Sequence, residues 1–574
     1  MSTAALSVYE WNDLDWRVIA KKVFKLQKRI YHASARGDVK AVHRLQRLLM
    51  TSRTAKLLAV RRVTQDNRGK KTAGVDGVKN LSPDRRSQLA ATLTLLPTAS
   101  PTRRVWIPKP GSATEKRGLG IPTLFDRARQ ALATLVLEPE WEARFEPHSY
   151  GFRPGRSTQD AIAAIFCNIS RKPKFVLDAD IAKCFDNIAH TALLGKLHTT
   201  ACLRRAIRAW LKAGVMEGAV LFPTTAGTPQ GGVASPLLAN IALHGLETAI
   251  SSAFPRTRTV AGKTVDPWQP VVIRYADDLV ILHQDEAVIR QTQHLAAQWL
   301  AGMGLELKPS KTRITHTLQH HEGHVGFDFL GFHVRQHAVG KTHTGKNGHG
   351  RPLGFKTIIT PSKEGQHRHQ QAIADIVRAT RSATQDELVA RLNLLTRGWT
   401  NYYATINAKR TFARMDALTF VKLLRWAVRR HPTKSRDWVT KKYWRRERGS
   451  WTFASKDGPR LYPHSRRAIH RHVKVRDTAS VYDGNWLYWA RRMGRYPDLP
   501  REVATLLKRQ QGRCAYCGLY FQAGDVVERD HLIPLVLGGN DSTHNRQLLH
   551  GHCHDRKTAQ DGSYAARGSH DKGQ

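Results

Sequence analysis

Residues 271–282 read VVIRYADDLVIL. Two adjacent carboxylates, Asp277 and Asp278, stand between two short apolar runs rich in Val, Ile and Leu. The runs have strand character, and Tyr275-Ala276-Asp277-Asp278 has the character of a hairpin tip. Like charges this close repel, and burying them without a counter-charge is costly. A hairpin that lifts both acids to an exposed tip, facing a divalent cation, removes that cost. Upstream, residues 174–181 read KFVLDADI, another strand-like run. Its acids, Asp178 and Asp180, are two apart and share a strand face, and only one of them need be a ligand. Three carboxylates on neighbouring strands suit a pair of Mg²⁺ ions, the arrangement that nucleotidyl transfer requires.

The rest of the chain bounds the setting. It has 574 residues, too many for one ordinary core, and three or four domains are expected. Lys and Arg number 92 against 46 Asp and Glu, a formal charge of +46. A surface this positive repels itself unless a polyanion neutralises it, so nucleic acid is the expected partner. Anionic lipid is the weaker alternative, because no apolar stretch is long enough to span a bilayer. The first residues carry Glu10, Asp13 and Asp15 and lack the basic-then-apolar order of a signal peptide. The six cysteines are sparse enough for a reducing cytoplasm.

Residues 14–65 show apolar positions at three-and-four spacing and read as two helices with thickly basic outer faces, broken at Gly37-Asp38. A Gly-rich turn region follows, then short strands and a helix beginning near Thr123 or Asp126. Strands interleaved with helices make an α/β core. From about 355 to 500 the chain is rich in Trp, Tyr and Arg, and aromatics among cations can stack on bases while touching phosphates. Some of these rings must be core. Trp399 and Tyr403 share a helix face with Leu395, which favours packing for Trp399 and leaves Tyr402 open. The cationic clusters with Arg429, Arg430, Arg445 and Arg446 are the expected phosphate contacts.

The last segment is a Cys/His module. Cys514 and Cys517 stand at knuckle spacing, and His550 and Cys553 repeat it. Three thiolates and an imidazole make a soft tetrahedral Zn²⁺ site. His552 is a competitor whose offset from Cys553 breaks the symmetry of the knuckles.

IPKPG, RGLGIPTLFDR, SYGFRPGRST, DADIAKCFDNI, GTPQGG, YADD, LKPSKT and FLGF occur in this order. The series resembles that of bacterial group II intron-encoded reverse transcriptases, over most of the chain. The resemblance implies a multidomain α/β protein. It would comprise a right-hand fingers and palm with a ferredoxin-like palm, a helical thumb/maturase domain, and a C-terminal ββα-metal HNH module. The expected divisions are 1–72 (basic helical extension of the fingers), 73–335 (fingers and palm), 336–500 (thumb and maturase), 501–565 (HNH) and 566–574 (tail).

Residue by residue, Asp180, Asp277 and Asp278 resemble the metal-binding acids of the palm, with the Ile181 carbonyl helping and Asp178 supporting the strand. Lys109 and Arg117 resemble the fingers residues that meet the triphosphate. Phe185 resembles the ring that checks the sugar, and Gln230 and Gly231 lie near nucleotide and template. Lys308 and Lys311 sit in the motif on the primer side, and FLGF at 329–332 resembles the primer-grip hairpin. At Gly118 the chain departs from the usual Arg-Pro before the LGIP element. In the HNH pattern, His531 resembles the general base and Asn545 the residue that orients it. Asp530 and His554 resemble the ligands of a catalytic Mg²⁺ or Mn²⁺.

The implied activities are RNA-directed DNA polymerisation, splicing assistance and DNA nicking. The implied partners are a cognate intron RNA, target DNA and deoxynucleoside triphosphates, with a homodimer on one RNA as an open option and no membrane. The expected location is the bacterial cytoplasm, at the nucleoid when bound to target DNA. The alternative is an RNA-binding splicing cofactor with relic enzyme sites.

Overall fold

The computed structural model describes residues 11–108, 115–260, 263–340, 342–447, 450–522 and 525–561. Lys109 and the tail after 561 lie outside the described residues.

The N-terminal helices form where the periodicity places them. Asp15 caps Trp16–Ala35 by accepting from the Arg17 and Val18 nitrogens, and Asp38 caps Val39–Thr51. Gly37 supplies the left-handed turn between them, at φ 73°. A second break at Ser52, unmarked by Gly or Pro, starts the helix Arg53–Arg61. Ile19, Val23, Leu45, Leu49 and Val60 pack with Leu132 and Val136 of Leu124–Glu142, a helix buried almost all round and capped by Thr123. Each large aliphatic side chain buried here contributes roughly 1.5–3 kcal/mol.

Two four-stranded sheets carry the chemistry. The fingers sheet orders its strands Lys116–Ile121, Thr102–Pro108, Val215–Glu217 and Val220–Phe222. The palm sheet is antiparallel throughout, in the order Arg313–His316, Phe175–Asp180, Asp278–His283, Val271–Tyr275. Its central strands are apolar on both faces, with Val176, Leu177, Val280 and Ile281 fully buried.

A three-stranded sheet, Phe327–Phe329, Phe332–Ala338 and Phe355–Pro361, leads to three long helices, Lys363–Ala379, Gln385–Tyr403 and Lys409–Arg430. The C-terminal module is a hairpin, Val527–His531 with Arg546–His550, followed by the helix Gly551–Gln560. No helix among the described residues is long and apolar enough to cross a membrane.

The stretch 336–500, expected as one thumb and maturase unit, contributes to two cores. Residues up to about 461 form a helical core around Leu392, Leu423 and Trp426. The segment from 465 onward instead runs back as a strap over the palm and the first helix. Asp160, fully buried, accepts from the Val475 nitrogen at 2.8 Å and from His472 at 2.9 Å, and also pairs with Arg492. Tyr482 bonds Glu138, Lys28 pairs with Asp498, and Trp489 lies over Gly155. One core therefore runs from Phe24, Tyr150 and Ile165 through Tyr482 and Trp489 to Leu507, Leu548 and Cys553. Composition misses this because the rings that suit RNA stacking are also the rings that fill a core.

Candidate active centres

The palm register sets the first centre. Asp180 stands opposite Asp278, and Tyr275 opposite Asp278, so Ala276-Asp277 is a two-residue turn beside the Asp180 strand end. Directly opposed residues have Cβ atoms about 5 Å apart, and both carboxylates share a face. The Ile181 nitrogen donates to the Asp277 carbonyl at 3.2 Å, which ties the strand end to the turn. All three acids are half-buried. Burial raises Asp278 to about 7, with the charges of Asp277 and Asp180 adding to the rise and Lys311 opposing it. Burial also raises Asp277, again with Asp180 contributing. The cluster is thus a crowded acidic trio that gains by a cation between its oxygens. Hard oxygen donors of this kind suit Mg²⁺.

Two side chains of LKPSKT and its neighbour meet these acids. Lys311 Nζ lies 2.7 Å from Asp180 Oδ2. Arg313 grips Asp178 at 2.9 and 3.0 Å, so Asp178 is spoken for, although burial still raises it to about 6. The Lys308 nitrogen donates to the Asp180 carbonyl at 2.8 Å.

The nucleotide-side residues converge from three segments. The Thr228 nitrogen donates to the Phe185 carbonyl at 2.6 Å and the Gly227 nitrogen to Ile188 at 2.8 Å, so the GTPQGG loop backs the Phe185 turn. Gln230 reaches Asp186 at 3.4 Å, while its carbonyl accepts from Gly120 of the fingers strand at 2.9 Å. A Cβ at Gly231 would lie 2.8 Å from the Gly120 carbonyl, so this crossing needs glycine. Arg117 is exposed on that strand. Its charge, with that of Arg104, reaches Asp186, whose carboxyl burial nonetheless holds above its ordinary value. At Gly118 a Cβ would come within 2.7 Å of the Arg104 guanidinium. The glycine leaves that space to the flexible end of the Arg104 side chain.

Sequence reading missed Arg274. It is buried in the strand before the turn, and its guanidinium donates to the Ala276 carbonyl at 3.1 Å, Asn240 Oδ1 at 3.1 Å and Ser149 Oγ at 2.7 Å. Ala276 is left-handed at φ 57°, a strained conformation for alanine, and Arg274 holds its carbonyl there. An Arg inside an apolar strand run was the available signal.

The thumb returns to the palm through two tyrosines. Tyr402 donates to the Leu330 carbonyl at 2.8 Å and Tyr403 to Gly331 at 3.0 Å, clamping the FLGF turn, in which Leu330 and Gly331 are both left-handed. Trp399 stacks on His369 with centroids 4.3 Å apart and packs against Phe412. Of the four arginines read as phosphate contacts, Arg429, Arg430 and Arg446 are exposed. Arg430 also donates to the Arg381 and Ala383 carbonyls, and Arg445 to Lys441.

The second centre lies in the C-terminal hairpin. Donor atoms of Cys514, Cys517, His550 and Cys553 all lie within 4.8 Å of one another, a group that could hold a metal ion. His550 turns Nδ1 towards Cys517 and Nε2 towards Asp525, 3.3 Å away, the partner a ligating imidazole needs. Burial pushes the Cys514 thiol up. Backbone N–H groups from Cys517, His550 and Tyr516 outweigh it and leave the thiol below its ordinary value. Burial and the neighbouring sulfurs push Cys553 up to about 12.

Beside this group, His531 ends one strand and bonds Asp541 through Nε2 at 2.8 Å. Asn545 holds the intervening loop, bonding both the Ile533 nitrogen and carbonyl at 2.9 Å and the Asn540 carbonyl at 2.7 Å. His554 Nδ1 lies 2.9 Å from a Glu528 carboxylate oxygen without hydrogen-bonding to it, and its Nε2 lies 3.9 Å from Asp530. Lys557 and Gln547 hold the other Asp530 oxygen at 3.0 and 2.8 Å. Asp541, Glu528 and Lys557 were not singled out from the sequence; single acids and lysines carry no spacing signal.

Family comparisons agree with this geometry. Residues 107–334 match the reverse transcriptase (RNA-dependent DNA polymerase) family and 11–93 the N-terminal domain of reverse transcriptase. Residues 366–444 match the group II intron, maturase-specific domain, and 514–560 the HNH endonuclease family. Protein YkfC of Escherichia coli (strain K12) is 32% identical over 255 residues, 40% of this chain and 65% of that protein. The group II intron-encoded protein LtrA of Lactococcus lactis is 42% identical over 147 residues, 25% of this chain and 24% of LtrA. Each alignment spans less than two thirds of the relative. The domain set defines a reverse transcriptase–maturase with an appended HNH endonuclease domain. LtrA, similar to this chain over those 147 residues, is a group II intron-encoded protein.

Proposed function

We propose that this chain copies its cognate intron RNA into DNA by target-primed reverse transcription, assists splicing of that RNA, and nicks target DNA. The observation that carries the reading is the register that sets Asp180 opposite Asp278 beside the Ala276-Asp277 turn.

Asp180, Asp277 and Asp278, with the Ile181 carbonyl, are the residues that would hold two Mg²⁺. Bound there, the ions would supply charge that acidifies the primer 3′-hydroxyl and neutralises the leaving pyrophosphate. Arg117, with Lys109 from the neighbouring segment, meets the triphosphate and adds positive charge where the leaving group develops negative charge. Phe185 limits room at the sugar 2′ position, and Gln230 orients the nucleotide edge. Lys311 occupies Asp180 until nucleotide and metal arrive.

In the C-terminal module, Cys514, Cys517, His550 and Cys553 would hold structural Zn²⁺. Asp541 keeps the proton of His531 on Nε2, which leaves Nδ1 free to take a proton from water. Asp530 and His554 would hold a Mg²⁺ or Mn²⁺ that supports phosphodiester cleavage. Exposed Arg429 and Arg446 add phosphate contacts for the intron RNA, and the family resemblance admits a dimer on one RNA. Bacterial cytoplasm, near the nucleoid, is the setting that fits these partners. The splicing-only alternative leaves the aligned acids and the ordered His531–Asp541 pair without a use.

The test is primer extension on an RNA template and strand-specific nicking of DNA, with one preparation and with Mg²⁺ present or chelated. Metal-dependent cDNA and nicked product are expected. Intron splicing stimulated with neither product formed would favour the alternative.

A further inference from the structure

Phe152 sits in SYGFRPGRST with a left-handed backbone, φ 58°. A bulky side chain rarely adopts that conformation, and glycine would serve a plain turn there at less cost. Its ring is 51% exposed, so core packing does not account for it. The residues on both sides are fixed. A Cβ on Gly151 would lie 2.3 Å from the Ala276 nitrogen of the acidic turn, and the Gly151 carbonyl accepts from Asn240 at 2.8 Å. Arg153, buried, grips Glu142 at 2.9 and 3.0 Å. Strain held in place by neighbours on both sides marks ligand clamps more often than turns. The outcome is that the Phe152 ring meets Phe185 edge-on, with centroids 6.1 Å apart. It thus stands next to the sugar-facing ring, on backbone seated against the metal-binding turn.

We infer that Phe152 is the second wall of the nucleotide pocket, a specificity-determining ring that acts with Phe185 on the sugar and base of the incoming deoxynucleoside triphosphate. This rests on the polymerase reading above. The exposed ring gives the base an apolar face, and its edge keeps Phe185 from turning away from the 2′ position.

Phe152→Gly separates this role from a structural one, because glycine relieves the backbone strain while removing the ring. Single-nucleotide extension by the full chain on an RNA template gives KM and kcat for matched deoxy- and ribonucleotides. Thermal unfolding is followed on the same preparations. The expected result is an unfolding midpoint equal to or above wild type, with KM for the deoxynucleotide raised roughly tenfold, the loss of one ring–base contact. Relative use of the ribonucleotide should rise. Phe152→Leu, which keeps the strain and a smaller apolar group, should fall between. Unchanged KM and sugar selectivity in Phe152→Gly would overturn the inference while leaving the polymerase reading intact. A lowered midpoint would overturn it in favour of packing. Absence of extension by wild type would overturn both.

Discussion

The palm centre and the C-terminal centre each gather side chains that could hold a metal ion, and they do so by different means. In the palm, strand register and the buried Arg274 place the acids, and the sheet beneath them is filled by fully buried aliphatics. In the C-terminal module a single hairpin and one helix do the placing, and much of the intervening loop is exposed, Leu532, Ile533, Leu535, Val536 and Leu537 among it. A unit this small cannot bury enough apolar surface to hold its geometry alone. The Cys/His group and the strap that joins its core to the palm supply what the sheet supplies elsewhere. A site on a sheet should therefore lose chemistry without losing fold, whereas a site on a chelated module should lose both when the chelate is broken.

The largest effect expected from this contrast is Asp277→Ala. It removes one acid from a turn tied by backbone bonds, so extension should fall to background while RNA binding and nicking stay. Extension at wild-type rate would break the assignment of the palm centre. His531→Ala should mirror it, with nicking lost and zinc content kept. Cys514→Ser should differ in kind: zinc lost, proteolysis admitted after about residue 505, nicking abolished, extension preserved. Resistance to protease equal to wild type in Cys514→Ser would show that the strap, not the chelate, holds the module.

Arg274 tests the sheet side more finely. Arg274→Lys keeps a cation but cannot reach the Ala276 carbonyl, Asn240 and Ser149 together. The turn should relax. We expect kcat to fall on the order of tenfold or more, from misplacement alone, and the Mg²⁺ needed for half-maximal extension to rise. A fall in RNA affinity with kcat and Mg²⁺ requirement unchanged would remove Arg274 from the positioning of the acids.

What the sequence made legible follows from the reach of the signal. Asp180 and Asp278 stand at strand ends and Asp277 in the turn, where acids interrupt short apolar runs visible in the residues themselves, and Gly37 marks its helix break by a conformation other residues avoid. Cys514, Cys517, His550 and Cys553 are found by spacing, since chelation demands it. The rest is long-range. Arg274 meets Ser149 across 125 residues, and Tyr402 meets Leu330 across 72. No periodicity links such pairs. Arg430 caps the Arg381 and Ala383 carbonyls across 49 and 47 residues, a contact no spacing announces. The approach of the Arg104 side chain to Gly118 is likewise invisible in the motif.

The strap that couples the two centres gives the smallest effect and the one with a pH signature. Asp160 begins the helix Thr158–Ile169, where it completes a capping box with Ser157, and it also receives Val475, His472 and Arg492 from the strap. Burial pushes its carboxyl up. The His472 hydrogen bond and the Arg492 charge outweigh this and hold it at about 2, below the ordinary aspartate value. A carboxyl depressed by folding stabilises the native state above its unfolded pKa, and that stability is lost as pH falls through the folded value. The contribution, about 2 kcal/mol, is therefore present at neutral pH and fades between about pH 4 and pH 2. Asp160→Asn keeps the shape but not the charge. Its unfolding midpoint, followed by tryptophan fluorescence, should lie below wild type at pH 7, and the gap should narrow as the pH is lowered past 4. A gap of constant size from neutral to acid pH would show that the strap is held by Tyr482, Trp489 and the shared core rather than by this buried charge.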